Sequence, residues 1–142
     1  MTNVFSNDPQ RTWDDYYLRK REQRLSEAVM LWQQLEDGGF AQDTIMALDF
    51  CCFGRDRPNA EHLADQLEEN YQITVTSQDN GYWLVAGTTR PYGVTMGQDE
   101  HADWVRFMCD VAQSYGCVFS SWSIEVPALN VKFDSADLES DS

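Results

Sequence analysis

The sequence predicts an α+β fold: a two-layer sandwich of βαββαβ order, with four antiparallel strands covered on one face by two helices, behind a long N-terminal helix. Three observations carry this. Residues 12–35 place Trp13, Tyr17, Leu25, Val29 and Trp32 close to helical period. Later, short β-type runs alternate with two amphipathic stretches. Two of these runs are joined through Asp79, Asn80 and Gly81, a tight-turn sequence that makes them a hairpin.

The first helix is expected from Thr12 to Leu35. Thr12 is a suitable cap, Asp14 and Asp15 suit the positive first turn, and Gly38 and Gly39 stop the helix. Residues 44–53 (TIMALDFCCF) form a short apolar run, as in a strand buried on both faces, interrupted by Asp49. A loop follows, and Pro58 or Asn59 opens a helix with Leu63 and Leu67 facing inward. In QITVTSQ, Ile73 and Val75 alternate with Thr74 and Thr76, and YWLVAGTT completes the hairpin. A helix with an acidic first turn then carries Trp104, Val105, Met108, Val111 and Ala112 before Gly116 stops it. The last strand, CVFSSWSIEV, ends at Pro127. This order is the split βαβ of ferredoxin-like sandwiches. The expected organisation is an N-terminal extension and helix over residues 1–40, the ferredoxin-like domain over 41–133, and a disordered acidic tail over 134–142.

A chain of 142 residues is the usual size of one domain, and aromatics at 13% supply enough packing material for a core. Its 24 acidic and 10 basic residues give a formal charge of −14. Residues 1–40 hold 5 basic and 7 acidic residues (net −2), so the excess lies in residues 41–142, with 5 basic and 17 acidic (net −12). A negative field repels phosphate backbones, so a basic partner is expected and direct nucleic-acid binding is disfavoured. The concentrated positive charge, Arg19, Lys20, Arg21 and Arg24, is expected to face the protein's own acidic body. No signal peptide and no long apolar stretch is seen, which predicts a cytoplasmic protein without a membrane span. Cys51, Cys52, Cys109 and Cys117 lack CxxC spacing and lie in apolar runs, as reduced core thiols do.

The sequence contains no GxGxxG, Walker loop, GxSxG or HExxH pattern, so it predicts neither an enzyme nor a cofactor. His62 and His101 lie near carboxylates on helices, yet four-ligand metal sites need more, and both read as surface histidines. Asp49 in a buried strand needs a partner, for which Arg55, Arg57 or a Trp indole are the candidates. The aromatic group Tyr82, Trp83, Trp104 and Trp122 is core by alternation, but any ring on the open face of the sheet is a candidate anchor for a partner. The candidate docking residues are Asp79, Tyr82, Trp83, Asp99, Glu100, Asp103, Trp122 and Glu125.

The strings LEDGGF at 35–40, LDF at 48–50, GYWLV at 81–85 and SSWSIEV at 120–126 resemble the regulator of ribonuclease E activity B family, over roughly residues 15–127. The resemblance implies a ferredoxin-like domain after an N-terminal helix. It also implies a protein that binds the scaffold region of ribonuclease E, inhibits RNA cleavage and so alters RNA decay. An acidic protein suits an Arg-rich segment of that kind, since complementary charge speeds encounter. The rival expectations are an immunity protein against a basic toxin nuclease, and a small-molecule or metal-binding enzyme built on Asp49, His62 or His101. RNA binding on the open sheet would need a basic, aromatic face.

Overall fold

A computed structural model describes residues 9–40 and 44–138, and it is α+β: three helices and one open, wholly antiparallel sheet. Helix α1 spans Pro9–Asp37, so Thr12 lies inside it rather than capping it. It closes where Gly38 N–H donates to the Gln34 and Leu35 carbonyls, with Gly39 at φ +97°, a conformation that glycine adopts without strain. Strand β1 is Ala47–Gly54 and helix α2 is Arg57–Leu67. Asp56 caps α2 by accepting from the Asn59 amide at 2.9 Å. Strands β2 (Gln72–Ser77) and β3 (Trp83–Thr88) form the hairpin, with Gly81 at φ +88° in its turn. Helix α3 is Gln98–Ser114, and the Glu100 carboxylate accepts from the Gly97 amide at its start. Strand β4 is Cys117–Val126.

The strand order is β2-β3-β1-β4-β5, five strands where the sequence predicts four. The fifth, β5 (Val131–Asp134), exists because the chain does not leave the sheet at Pro127. A 3-10 turn over Pro127–Leu129 and a left-handed Asn130 (φ 54°) reverse it, so that Val131 pairs with Val126 and Asp134 with Ser123. Four residues are too few for alternation to be read against a polar tail. Residues 135–138 form a second 3-10 turn; there the Ser135 hydroxyl accepts from the buried Trp122 amide at 2.9 Å. The expected tail is therefore ordered through Leu138, and 139–142 lie outside the described residues, as do 1–8 and 41–43.

The core lies between one face of the sheet and the helices. Leu48, Phe50 and Cys52 of β1 and Phe119, Trp122 and Ile124 of β4 meet Leu63 and Leu67 of α2, and Val105 and Met108 of α3. The other face of β1 carries Asp49, Cys51 and Phe53, all partly exposed, so β1 is buried on one face rather than both. Close packing shows at Gly87, where an added Cβ would stand 2.2 Å from the Phe50 ring.

Helix α1 docks against α3. The two run antiparallel: the Trp32 and His101 rings stack 5.2 Å apart, and eleven residues back along α1 the Arg21 guanidinium meets the Asp110 carboxylate at 2.9 Å. Ala28, Leu31, Trp32 and Leu35 complete the core. An ion pair is buried with them, since Arg24 and Glu27 are each 3% exposed and 2.9 Å apart, and the Arg24 Nε–H also donates to the Phe119 carbonyl. A desolvated pair is costly unless its hydrogen bonds are met, and here Glu27 and the Phe119 carbonyl meet those of Arg24.

Candidate functional site

Four surfaces follow from this arrangement: the outer side of α3, the open face of the sheet, the hairpin tip, and a cleft under the start of α1.

On α3 the apolar positions His101, Val105, Met108 and Ala112 turn inward. The 3.6-residue period therefore puts Glu100, Asp103, Phe107 and Asp110 in one outward stripe, with Asp99 at its margin. All five are exposed, and Phe107 is 49% exposed between Asp103 and Asp110. Asp103 pairs with Arg106 on its own helix and Asp110 with Arg21 of α1. Pairs this exposed are weak and open readily to a competing cation.

The open sheet face holds a shallow trough of about 460 Å³ with Asp49, Cys51, Thr88, Ser123 and Asp134 on its walls. Arg90, rather than Arg55 or Arg57, answers Asp49 at 3.3 Å, and the same guanidinium pairs with Glu125. Burial pushes the Asp49 carboxyl up, but hydrogen bonds from Thr88 and Arg90 outweigh it and hold the group below its usual range. Asp49 and Glu125 thus form a braced rim across β1 and β4.

The expected docking residues are spread widely. Asp79 and Tyr82 stand exposed at the hairpin tip, and Trp83 is half-buried under the Arg57 guanidinium. Asp99, Glu100 and Asp103 share α3, and Glu125 lies on the open face. Trp122 is in the core at 1% exposure, its indole N–H donating to His101 Nε2 at 3.1 Å, so it offers no surface to a partner.

Asp49, His62 and His101 do not converge either. His62 is exposed on α2, whereas His101 is buried against Trp32, Trp104 and Trp122 and is not a surface histidine. Burial lowers its pKa to about 4. Among the described residues no group of three His, Cys, Asp or Glu is placed to hold a metal ion. The four cysteines are free thiols. Cys52 and Cys117 are buried, while Cys51 and Cys109 are partly exposed, and burial pushes Cys109 and Cys117 up to about 11. No helix among the described residues is long and apolar enough to cross a membrane.

The fourth surface is one the sequence reading missed. The first three turns of α1 run past the end of α3 and roof a cleft of about 620 Å³ over the end of the sheet. Trp13, Tyr16 and Tyr17 come from α1, Phe53 and Arg55 from the end of β1, and Tyr82 from the hairpin. Part of a signal was present, since Trp13, Tyr16, Tyr17 and Lys20 share a helical face at spacings of three and four. The other wall comes from residues far along the chain, which a helical spacing cannot announce.

No protein-family model and no curated protein matches this chain.

Proposed function

We propose that this protein is a non-catalytic cytoplasmic regulator that docks, through the acidic stripe of α3, on a basic segment of an RNA-processing endoribonuclease of the ribonuclease E type and so modulates RNA decay. Its framework is read as a ferredoxin-like split βαβ sandwich widened by one edge strand. The observation that carries the docking reading is Phe107, an exposed ring flanked by Asp103 and Asp110 on the outer side of a rigid helix. Partner surfaces commonly pair an aromatic anchor with charged neighbours that steer encounter, and an Arg-rich segment meets both, since guanidinium groups bind carboxylates and stack on rings. The charge of −14 adds long-range attraction toward such a segment.

The test is RNA cleavage by purified ribonuclease E with increasing amounts of this protein, alongside calorimetric titration of the enzyme's Arg-rich scaffold segment. Cleavage should fall in proportion to occupancy. Binding should weaken sharply near 0.5 M salt, where the screening length is roughly 4 Å. Phe107→Ala should weaken binding by about tenfold, a loss typical of an interface anchor. Unchanged cleavage at saturating protein, or equal binding by the wild type and F107A, would refute the reading.

A further inference from the structure

The cleft under α1 has the opposite character to the rest of the molecule. Of 10 lysines and arginines in the chain, four line it: Arg19, Lys20, Arg24 and Arg55; among the described residues no Asp or Glu lines it. Arg24 is engaged with Glu27 and the Phe119 carbonyl, which leaves Arg19, Lys20 and Arg55 to face a ligand. Two nearby acids are engaged elsewhere: Asp14 accepts from Gln10, and Asp56 caps α2. With a screening length of about 8 Å at physiological ionic strength, these local cations outweigh more distant carboxylates inside the cleft.

The remaining lining is aromatic. The Trp13 ring centroid is 5.6 Å from that of Tyr16 and 5.9 Å from that of Tyr17. Tyr82, 41% exposed, faces them from the hairpin, and Phe53 and Val118 form an apolar floor. The cations already lie against these rings: Arg55 is 5.2 Å from the Trp13 centroid and Lys20 is 5.7 Å from that of Tyr16. Flat π faces bordered by cations complement a ligand that is both planar and anionic. Its volume lies within the usual range of small-ligand clefts, about 300–1,000 Å³.

We infer that this cleft binds a nucleotide, with the base stacked among Trp13, Tyr16 and Tyr82 and the phosphate held by Arg19, Lys20 and Arg55. Base stacking on exposed rings combined with Lys and Arg on phosphate is the general physics of sequence-tolerant nucleotide recognition. A purely acidic peptide would use the cations and leave the ring faces idle. A neutral aromatic would do the reverse. The same chemistry is offered by a free mononucleotide and by one unit of a single-stranded RNA. This inference does not rest on the proposed ribonuclease partner, because it uses a different surface and a ligand of opposite charge.

The experiment is calorimetric titration of the full chain with ATP, adenosine, an adenine octanucleotide and polyglutamate at low salt. ATP is expected to bind with a Kd at or below about 100 µM, and adenosine at least about tenfold more weakly. The double charge reversal Arg19→Glu with Arg55→Glu should weaken ATP binding at least about tenfold at unchanged circular dichroism, both positions being exposed. Tyr82→Ala serves as a second variant that leaves the cations in place and should lower affinity about fivefold or more. An octanucleotide that binds over tenfold more tightly than ATP identifies single-stranded RNA as the source. Equal affinities identify the free nucleotide. The inference is overturned if neither ATP nor the octanucleotide binds below about 1 mM, if polyglutamate binds as tightly as ATP, or if both variants bind like the wild type. F107A leaves this cleft intact, so its effect on ribonuclease E reports on the other surface alone.

Discussion

His101 shows how burial changes what a side chain does. Stacked on Trp32 and accepting a hydrogen bond from Trp122, it has a pKa near 4 in the folded protein against an ordinary value of 6.5. Between those values the unfolded chain binds the proton and the folded chain does not, so stability falls as pH drops from about 6.5 to 4. The loss should approach about 3 kcal/mol at the lower limit and vanish above neutrality. His101→Gln, which retains an acceptor but does not titrate, should flatten that part of a denaturation profile measured against pH; an unchanged slope would sink the assignment. Asp49 adds a loss of the same sign, but only below the usual carboxylate range, because its pKa is lowered. The sequence placed His101 among Asp99, Glu100 and Asp103, which made it look solvated. Yet His101 stands four, seven and eleven residues before Val105, Met108 and Ala112, which puts it on their inner face and turns it away from those carboxylates.

Elements were more legible than residues wherever a period ran long enough. Both later helices, the hairpin and the strand over 117–126 appear with boundaries within a few residues of those expected, because caps, glycines and alternation agree. The short edge strand was hidden, since its formation depends on Asn130 turning left-handed and on β4 offering a free edge. That segment carries a specific duty: Ser135 satisfies the amide of Trp122, which otherwise has no water to turn to in the core. Ser135→Ala should therefore destabilise the fold by about 1–3 kcal/mol in urea denaturation, the cost of orphaning a buried donor. A loss below about 0.3 kcal/mol, within the scatter of a neutral surface change, would show that the bond contributes nothing. The docking of α1 was half legible. Of the expected stripe Trp32 is buried and Leu25 packs on the core, but Val29 stands 61% exposed, and the inner face runs instead through Ala28, Leu31 and Leu35 and through the Arg24 and Glu27 pair, which looks in sequence like ordinary surface charge.

At the scale of the whole molecule, charge is distributed against itself. A net −14 on 142 residues repels the folded state from within, so moderate salt should raise the melting temperature in a scanning calorimeter until screening is complete. A melting temperature that fell steadily with added sodium chloride would mean that attractive pairs such as Arg21 with Asp110 dominate instead. The count of charges was readable from the sequence and its geometry was not: the acids scatter over several surfaces, while the cations of α1 and Arg55 gather at one end. That gathering follows from the antiparallel pairing of α1 with α3, which also orders events in time. The Asp110 partner of Arg21 and the Phe119 carbonyl that Arg24 reaches lie 89 and 95 residues further along the chain. At a synthesis rate of about 5–20 residues per second, α1 spends roughly 4 to 18 seconds on the ribosome before Asp110 has been made. During that interval Leu31, Trp32 and Leu35 lack the α3 surface they pack against in the folded protein, and Trp32 has only near neighbours such as Phe40 to cover it.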